Sequence, residues 1–136
     1  MTRNDSRPMD VPSTSTSSPT SATTALAKVV ADLDLLVRAL LTSLPSSKPW
    51  QRRLRVHLTE PDRLLQVLRM TVAMGRSSGE VEQAAAELLK ALRLANVYVN
   101  GGRADMGTKH AIQLAFSLGQ QICVAVADGG VGVVQE

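Results

Sequence analysis

The sequence predicts a small α/β domain, and three observations lead to that fold class. Residues 54–58 alternate between apolar and polar side chains, as a half-buried strand does. Apolar residues recur at helical spacing in several other segments, which are 24–44, 61–75, 80–95 and 108–118. Short apolar runs next to glycine-rich turns supply further strand candidates, at 97–99, 122–127 and 131–134. Strands that alternate with helices are typical of a sheet covered by helices.

The first part of the chain divides into a tail and a helix. Residues 1–23 are rich in Ser, Thr and Pro, a composition that buries too little apolar surface to offset the entropy of ordering, and we predict that they are disordered. From residue 24 to residue 44, leucines and valines fall on one face at 100° per residue, with charged residues opposite. We therefore predict a single folded domain over 24–136 that begins with an additional N-terminal helix.

A change of period follows the break at Pro45 and Pro49. The three apolar residues of the predicted strand alternate with polar ones, which are Arg53, Arg55 and His57. On a strand, those polar side chains point away from the core. Thr59 is positioned to cap the next helix, with Pro61 tolerated in its first turn.

Helix and turn signals continue to the end of the chain. Ser77 and Glu80 have the spacing of a capping box, which predicts a helix start there. The run 97–99 is a short strand candidate that ends at the turn 100–102, and Gly119 fits the end of the helix after it. The segments 122–127 and 131–134 flank the turn 128–130, which is typical of a hairpin.

Composition argues against an enzyme. The histidines are His57 and His110, which lie far apart in the sequence, and the single cysteine, Cys123, lies in an apolar run. We therefore expect no catalytic set, metal site or cofactor. Aromatic residues make up only 2% of the chain, so a platform of several stacked rings is not expected. One cysteine, no secretory leader and no uncharged run long enough to span a membrane indicate an intracellular protein, in the nucleus or the cytoplasm.

The positive charge is unevenly distributed. The segment 48–76 carries seven basic residues against Glu60 and Asp62, a net charge of +5 within a chain whose total is +3. Such a segment favours a polyanionic partner, although a solvated charged face is the commoner origin of a charge run. The glycine-rich stretch 97–109 adds a second candidate, because a strand, a loop and a helix in that order can present backbone amides to an anion. It lacks the spacing of a P-loop, and a simple turn is its alternative interpretation.

One stretch resembles a known family. Residues 96–102 (NVYVNGG) followed by 107–118 (GTKHAIQLAFSL) resemble the second strand and second helix of the Alba superfamily, nearest to the Alba-like subunits of eukaryotic ribonuclease P and MRP. Residues 54–58, with Pro61 beyond them, resemble the first strand of that family. The chain departs from the family pattern in its additional helix at 80–95 and its short final strand pair.

The resemblance implies a mixed four-stranded sheet with helices on one face, a homodimer or a heterodimer with a related subunit, and sequence-tolerant binding of RNA, with DNA as an alternative target. It implies a subunit of a ribonucleoprotein or an mRNA-binding regulator. Residues near the first strand and the glycine loop would contact nucleic acid, and they are Arg52, Arg53, Arg55, Arg63, Gly101, Gly102, Arg103 and Lys109.

A second interpretation remains open. The chain could be a helical interaction module in which the apolar helix 24–44 contacts another protein and the arginines are merely solvated. The wide leucine and valine faces, with few aromatic residues, also predict that the chain is not a monomer.

Overall fold

The computed structural model describes residues 19–128, with side chains from residue 24, and places them in four helices. The helices are α1 (Pro19–Ser43), α2 (Pro49–Ala73), α3 (Ser78–Asn100) and α4 (Met106–Ala127). Residues 1–18, the greater part of the predicted tail, lie outside the described part of the chain, as do the predicted turn residues from 129 and the predicted strand 131–134.

The helices form an antiparallel bundle. Each helix packs against its neighbours in sequence, and α4 also packs against α1, which closes the ring. The connections 44–48, 74–77 and 101–105 are short, and short connections between helices make sequential neighbours antiparallel. One end of the bundle therefore gathers the C-terminal ends of α1 and α3 with the N-terminal ends of α2 and α4.

The prediction of an Alba-like α/β sheet is wrong, since the described residues contain helices and no strand. The first predicted strand lies inside α2, where Leu54 and Leu58 are buried four residues apart while Val56 is 71% exposed. Five residues that alternate between apolar and polar side chains fit both a strand and part of a helix. The helical spacing of the apolar residues is visible only over a longer stretch of sequence. Thr59 is not a cap, because it lies within α2 and its hydroxyl donates to the carbonyl of Arg55. Pro61 lies well inside α2 and not in a first turn.

The later strand predictions are wrong for the same reason. Residues 97–99 form part of the last turns of α3, with Ala95 and Val99 buried and Val97 facing solvent. Residues 122–127 belong to α4, with Ile122 and Val126 buried. In both segments the buried residues are four apart, which is helical spacing.

The helix predictions were more accurate. All four segments predicted to be helical lie largely within helices, and the capping box at the start of α3 is confirmed: the Ser77 hydroxyl accepts from the Glu80 amide while the Glu80 carboxylate accepts from the Ser77 amide. Helix α2 ends at Ala73, and Gly75 follows it with a φ of 67°, which is favourable for glycine. The amides of Gly75 and Arg76 donate to the carbonyls of Val72 and Thr71, a pairing typical of helix C-termini.

The core consists of two clusters of buried side chains along the bundle. The larger cluster contains residues from all four helices, including Leu33, Leu65 and Leu88. The smaller one lies at the end defined above and consists of Leu40, Leu44, Leu54, Leu58, Ala95, Val99, Ala104 and Ile112. It holds the four helix ends together and positions the surface residues around them.

A polar group on α1 also links it to α2. The Asp34 carboxylate accepts hydrogen bonds from Arg38 Nε at 2.9 Å, Gln66 Nε2 at 2.9 Å and an Arg69 guanidinium nitrogen at 3.0 Å. Desolvation raises the pKa of Asp34, but the hydrogen bonds from Arg38 and Gln66 and the two guanidinium charges outweigh it and hold the pKa below its usual range. The charged form is therefore the one that stabilises the α1–α2 contact.

We expect Asp34→Asn to lower the free energy of unfolding by about 1 kcal/mol at neutral pH, because it removes the charge that the three donors share. The folded-state pKa is depressed, so this contribution is complete above the unfolded pKa of about 3.9 and is lost as the pH falls through the folded value. Urea unfolding of both chains at neutral and acidic pH should show the difference shrinking with acid. Asp32→Asn is the control, since its pair with Lys28 is exposed and contributes little. A difference independent of pH would contradict the argument.

Candidate nucleic-acid interface

The end of the bundle that surrounds the smaller core cluster is strongly basic. We call it the basic end and define it by six residues: Lys48, Arg52, Arg53, Arg55, Arg103 and Lys109. Among the described residues, Asp105 is the acidic residue in the same connections and first helical turns, so the net charge of the basic end is +5. The other described residues carry seven basic and eight acidic side chains. The positive charge of the described chain is therefore concentrated at one end.

Two of the predicted contact residues have structural partners. The guanidinium group of Arg55 is half-buried and donates to the carbonyls of Leu41 at 2.8 Å and Leu44 at 2.6 Å. These are carbonyls at the C-terminus of α1, where the helix leaves its last acceptors unsatisfied and favours a cation. Arg52 donates to the carbonyl of Ser46 in the adjoining connection, at 2.9 Å. Arg55 in particular stabilises the fold.

The other cations of the basic end are open to a ligand. Lys48, Arg53 and Arg103 are exposed and Lys109 is half-buried. Among the described residues, no side chain pairs with Arg53, Arg103 or Lys109. Because α2 and α4 both begin at this end, the structure places Arg53 and Lys109 at the same end of the bundle although they are far apart in sequence. Both residues belong to the set that the sequence predicted to contact nucleic acid, and that role stays a prediction.

Arg63 lies elsewhere. It is farther along α2 and forms an exposed ion pair with Glu60, whose pKa is lowered by the hydrogen bond from Arg63. Arg69 likewise pairs with Asp34. Only the first part of the basic segment 48–76 therefore contributes to the basic end.

The two glycine amides of the loop are not free to bind an anion. The Gly101 amide donates to the carbonyl of Val97 and the Gly102 amide donates to that of Val99, so both complete the end of α3. The start of α4 is capped by Asp105, whose carboxylate accepts from the backbone amide and the hydroxyl of Thr108 at 3.0 and 2.8 Å. Those hydrogen bonds lower the pKa of Asp105. A carboxylate thus already occupies the helix N-terminus that would attract a phosphate.

An aromatic group at the same end was missed in the sequence. The rings of His57 and Tyr98 lie with centroids 4.7 Å apart, and the Tyr98 hydroxyl donates to the carbonyl of Trp50 at 3.3 Å. All three side chains are half-buried. The spacing of Trp50, Arg53 and His57 could have predicted this group, because it places the three residues on one face of a helix. The same spacing does not place them on one face of a strand.

Metal-ligating side chains and the Cys123 thiol form no candidate metal or catalytic site in the described part of the chain. No group of three His, Cys, Asp or Glu side chains there is arranged to hold a metal ion. The Cys123 thiol packs against α3 with its sulfur 3.5 Å from the carbonyl of Ala85, and burial raises its pKa, which disfavours the nucleophilic thiolate.

Helix α4 has the length and apolar composition that a membrane-spanning helix needs, although the sequence had predicted no such run, and in the bundle it packs against α1 and α3.

No family model, curated protein or solved structure matches this chain.

Proposed function

We propose that this chain binds nucleic acid, with RNA as the first candidate, through phosphate contacts at the basic end. The observation that carries the proposal is the concentration of a net charge of +5 at one end of the bundle, on side chains from α2, α4 and two connections. Basic side chains without a protein partner gain most from a phosphate, because they give up no existing ion pair. Arg53 and Arg103 are of this kind.

The contacts available favour binding without sequence preference. Arginine and lysine side chains on helix ends can follow a phosphate backbone, whereas sequence readout needs an element that enters a groove. The proposal does not depend on the Alba-like fold.

The decisive experiment measures how RNA affinity depends on salt. Each phosphate neutralised by the protein releases counterions, so affinity falls steeply as salt rises. We expect the triple variant Arg53→Ala, Arg103→Ala, Lys109→Ala to bind RNA more weakly than wild type. Its salt slope should fall by about one unit for each phosphate that is no longer neutralised. Affinity is measured by fluorescence anisotropy at several salt concentrations.

A matched control separates position from total charge. Lys28, Arg76 and Lys90 are exposed and lie away from the basic end, and their replacement by Ala removes the same number of charges. This second triple variant should keep nearly the wild-type slope. Equal slopes for both triple variants would refute a localised site, and a wild-type chain that fails to bind RNA at low salt would refute the proposed function.

A second candidate function is contact with another protein, and exposed apolar side chains on α2 favour it. Val56, Met70 and Met74 are 71%, 63% and 59% exposed and, with Val67, face the same side of the helix. Exposed apolar groups of this kind often mark interaction surfaces. An apolar contact, including one with a second copy of the chain, should respond little to salt, so the same titrations distinguish it from phosphate binding.

A further inference from the structure

The aromatic group at the basic end is built from two helices. Trp50 and His57 lie on one face of α2, seven residues apart, with Arg53 between them, and Tyr98 reaches them from α3. Two contacts hold the Tyr98 side chain in place. Its ring centroid lies 4.7 Å from that of His57, with the two rings tilted by 32°, and its hydroxyl donates to the carbonyl of Trp50. A ring held in this way loses little rotational freedom on binding a ligand.

Core packing accounts for only part of this arrangement. Trp50 and Tyr98 pack on the smaller core cluster with part of each side chain, but neither is fully buried, and His57 is also only half-buried. Phe116 belongs to the other core cluster. Two of the three aromatic residues of the chain therefore lie at the surface that also carries the unpaired cations.

Partly open rings beside a cation have a specific use with nucleic acids. Bases stack on aromatic side chains, and this interaction is worth about 1–3 kcal/mol per base in proteins that bind single strands. In a duplex the bases are already stacked and paired, so their faces are not accessible to a ring on a protein surface. A surface with cations alone would not make this distinction.

We propose that the basic end binds single-stranded RNA in preference to a duplex, with a base stacked on the Tyr98–His57 pair while Arg53 contacts an adjacent phosphate. This inference rests on the proposed function and narrows it to a class of ligand. It assigns to Tyr98 and His57 the recognition of a base, and to Arg53 a share of the phosphate contacts.

Trp50 provides a direct probe, because it is the only tryptophan of the chain. The full chain is titrated at low salt with an oligouridylate of about ten nucleotides and with an RNA duplex of similar length, a size suited to single-strand sites. We expect the single strand to change Trp50 fluorescence and to bind about tenfold more tightly than the duplex. The duplex should bind through charge with little effect on the tryptophan.

Two variants of Tyr98 test the role of the ring. Tyr98→Leu should reduce affinity for the oligouridylate about tenfold, by loss of stacking, and leave duplex affinity unchanged. Tyr98→Phe keeps the ring but removes the hydrogen bond to Trp50, and should retain most of the preference for single strands. Circular dichroism checks that each variant is folded. If Tyr98→Leu does not fold, the relative affinity of the wild-type chain for the single strand and the duplex, together with its Trp50 fluorescence, still tests the inference.

The outcomes separate the two proposals. Equal affinity for single strand and duplex, with no change in Trp50 fluorescence, would overturn this inference and leave phosphate binding intact. Unchanged single-strand affinity in a folded Tyr98→Leu variant would also overturn it. Failure of both RNAs to bind at low salt would refute the proposed function as well.

Discussion

Replacing Arg55 by Glu is expected to lower the free energy of unfolding by about 3 kcal/mol, a large part of the stability of a small domain. The guanidinium group makes two hydrogen bonds to carbonyls at the C-terminus of α1, at 2.8 and 2.6 Å. The glutamate would make neither and would place a negative charge beside the negative end of the helix dipole. Urea unfolding followed by far-ultraviolet circular dichroism measures the effect.

The matched control is Arg53→Glu, two residues earlier on the same helix. Arg53 is exposed and pairs with no described side chain, so its reversal should change stability by less than about 0.5 kcal/mol and act on RNA binding instead. The sequence-based hypothesis gave these two arginines the same role on one face of a strand. Equal stability of the two variants would contradict the structural role of Arg55.

We expect Gly119→Leu to destabilise the bundle by about 3 kcal/mol, because the residue lies where α3 and α4 approach closely. A Cβ at this position would be 2.7 Å from Leu92 Cδ1 and 3.3 Å from Leu89 Cδ1, and Leu92 is fully buried. A larger side chain must displace Leu92 or separate the helices. The midpoint of urea unfolding should fall accordingly.

Two further variants test the cause. Gln120→Leu adds an apolar side chain at the next, exposed position and should be nearly neutral. Leu92→Ala in the Gly119→Leu background should restore part of the stability, since it makes room for the added side chain, and the coupling should exceed about 0.5 kcal/mol. Additive effects of the two substitutions would show that crowding against Leu92 is not the cause.

Part of the candidate site could be predicted from the sequence. Residue type alone identified the basic side chains, because arginine and lysine are the groups that contact phosphates. The prediction could not separate Arg55 from Arg53, since the acceptors of Arg55 belong to the end of α1 and the connection after it, in another part of the chain. It also could not see that the amides of Gly101 and Gly102 are used at the end of α3, because that depends on where the helix stops.

Local features were encoded in the sequence alone: the apolar spacing of the helices, the capping box at Ser77 and Glu80, and the amount of positive charge. The segments 54–58, 97–99 and 122–127 were misassigned, because a short apolar run fits both a strand and a buried helix face. Tertiary packing resolved that ambiguity, by burying residues four apart and exposing the residue midway between them, which is Val56, Val97 or Val124. Packing also set which residues lie together, because the antiparallel arrangement brings Trp50 and His57 of α2 to Tyr98 of α3 and places Lys109 of α4 at the same end of the bundle. Such proximity follows from helix length and direction, which no local pattern encodes.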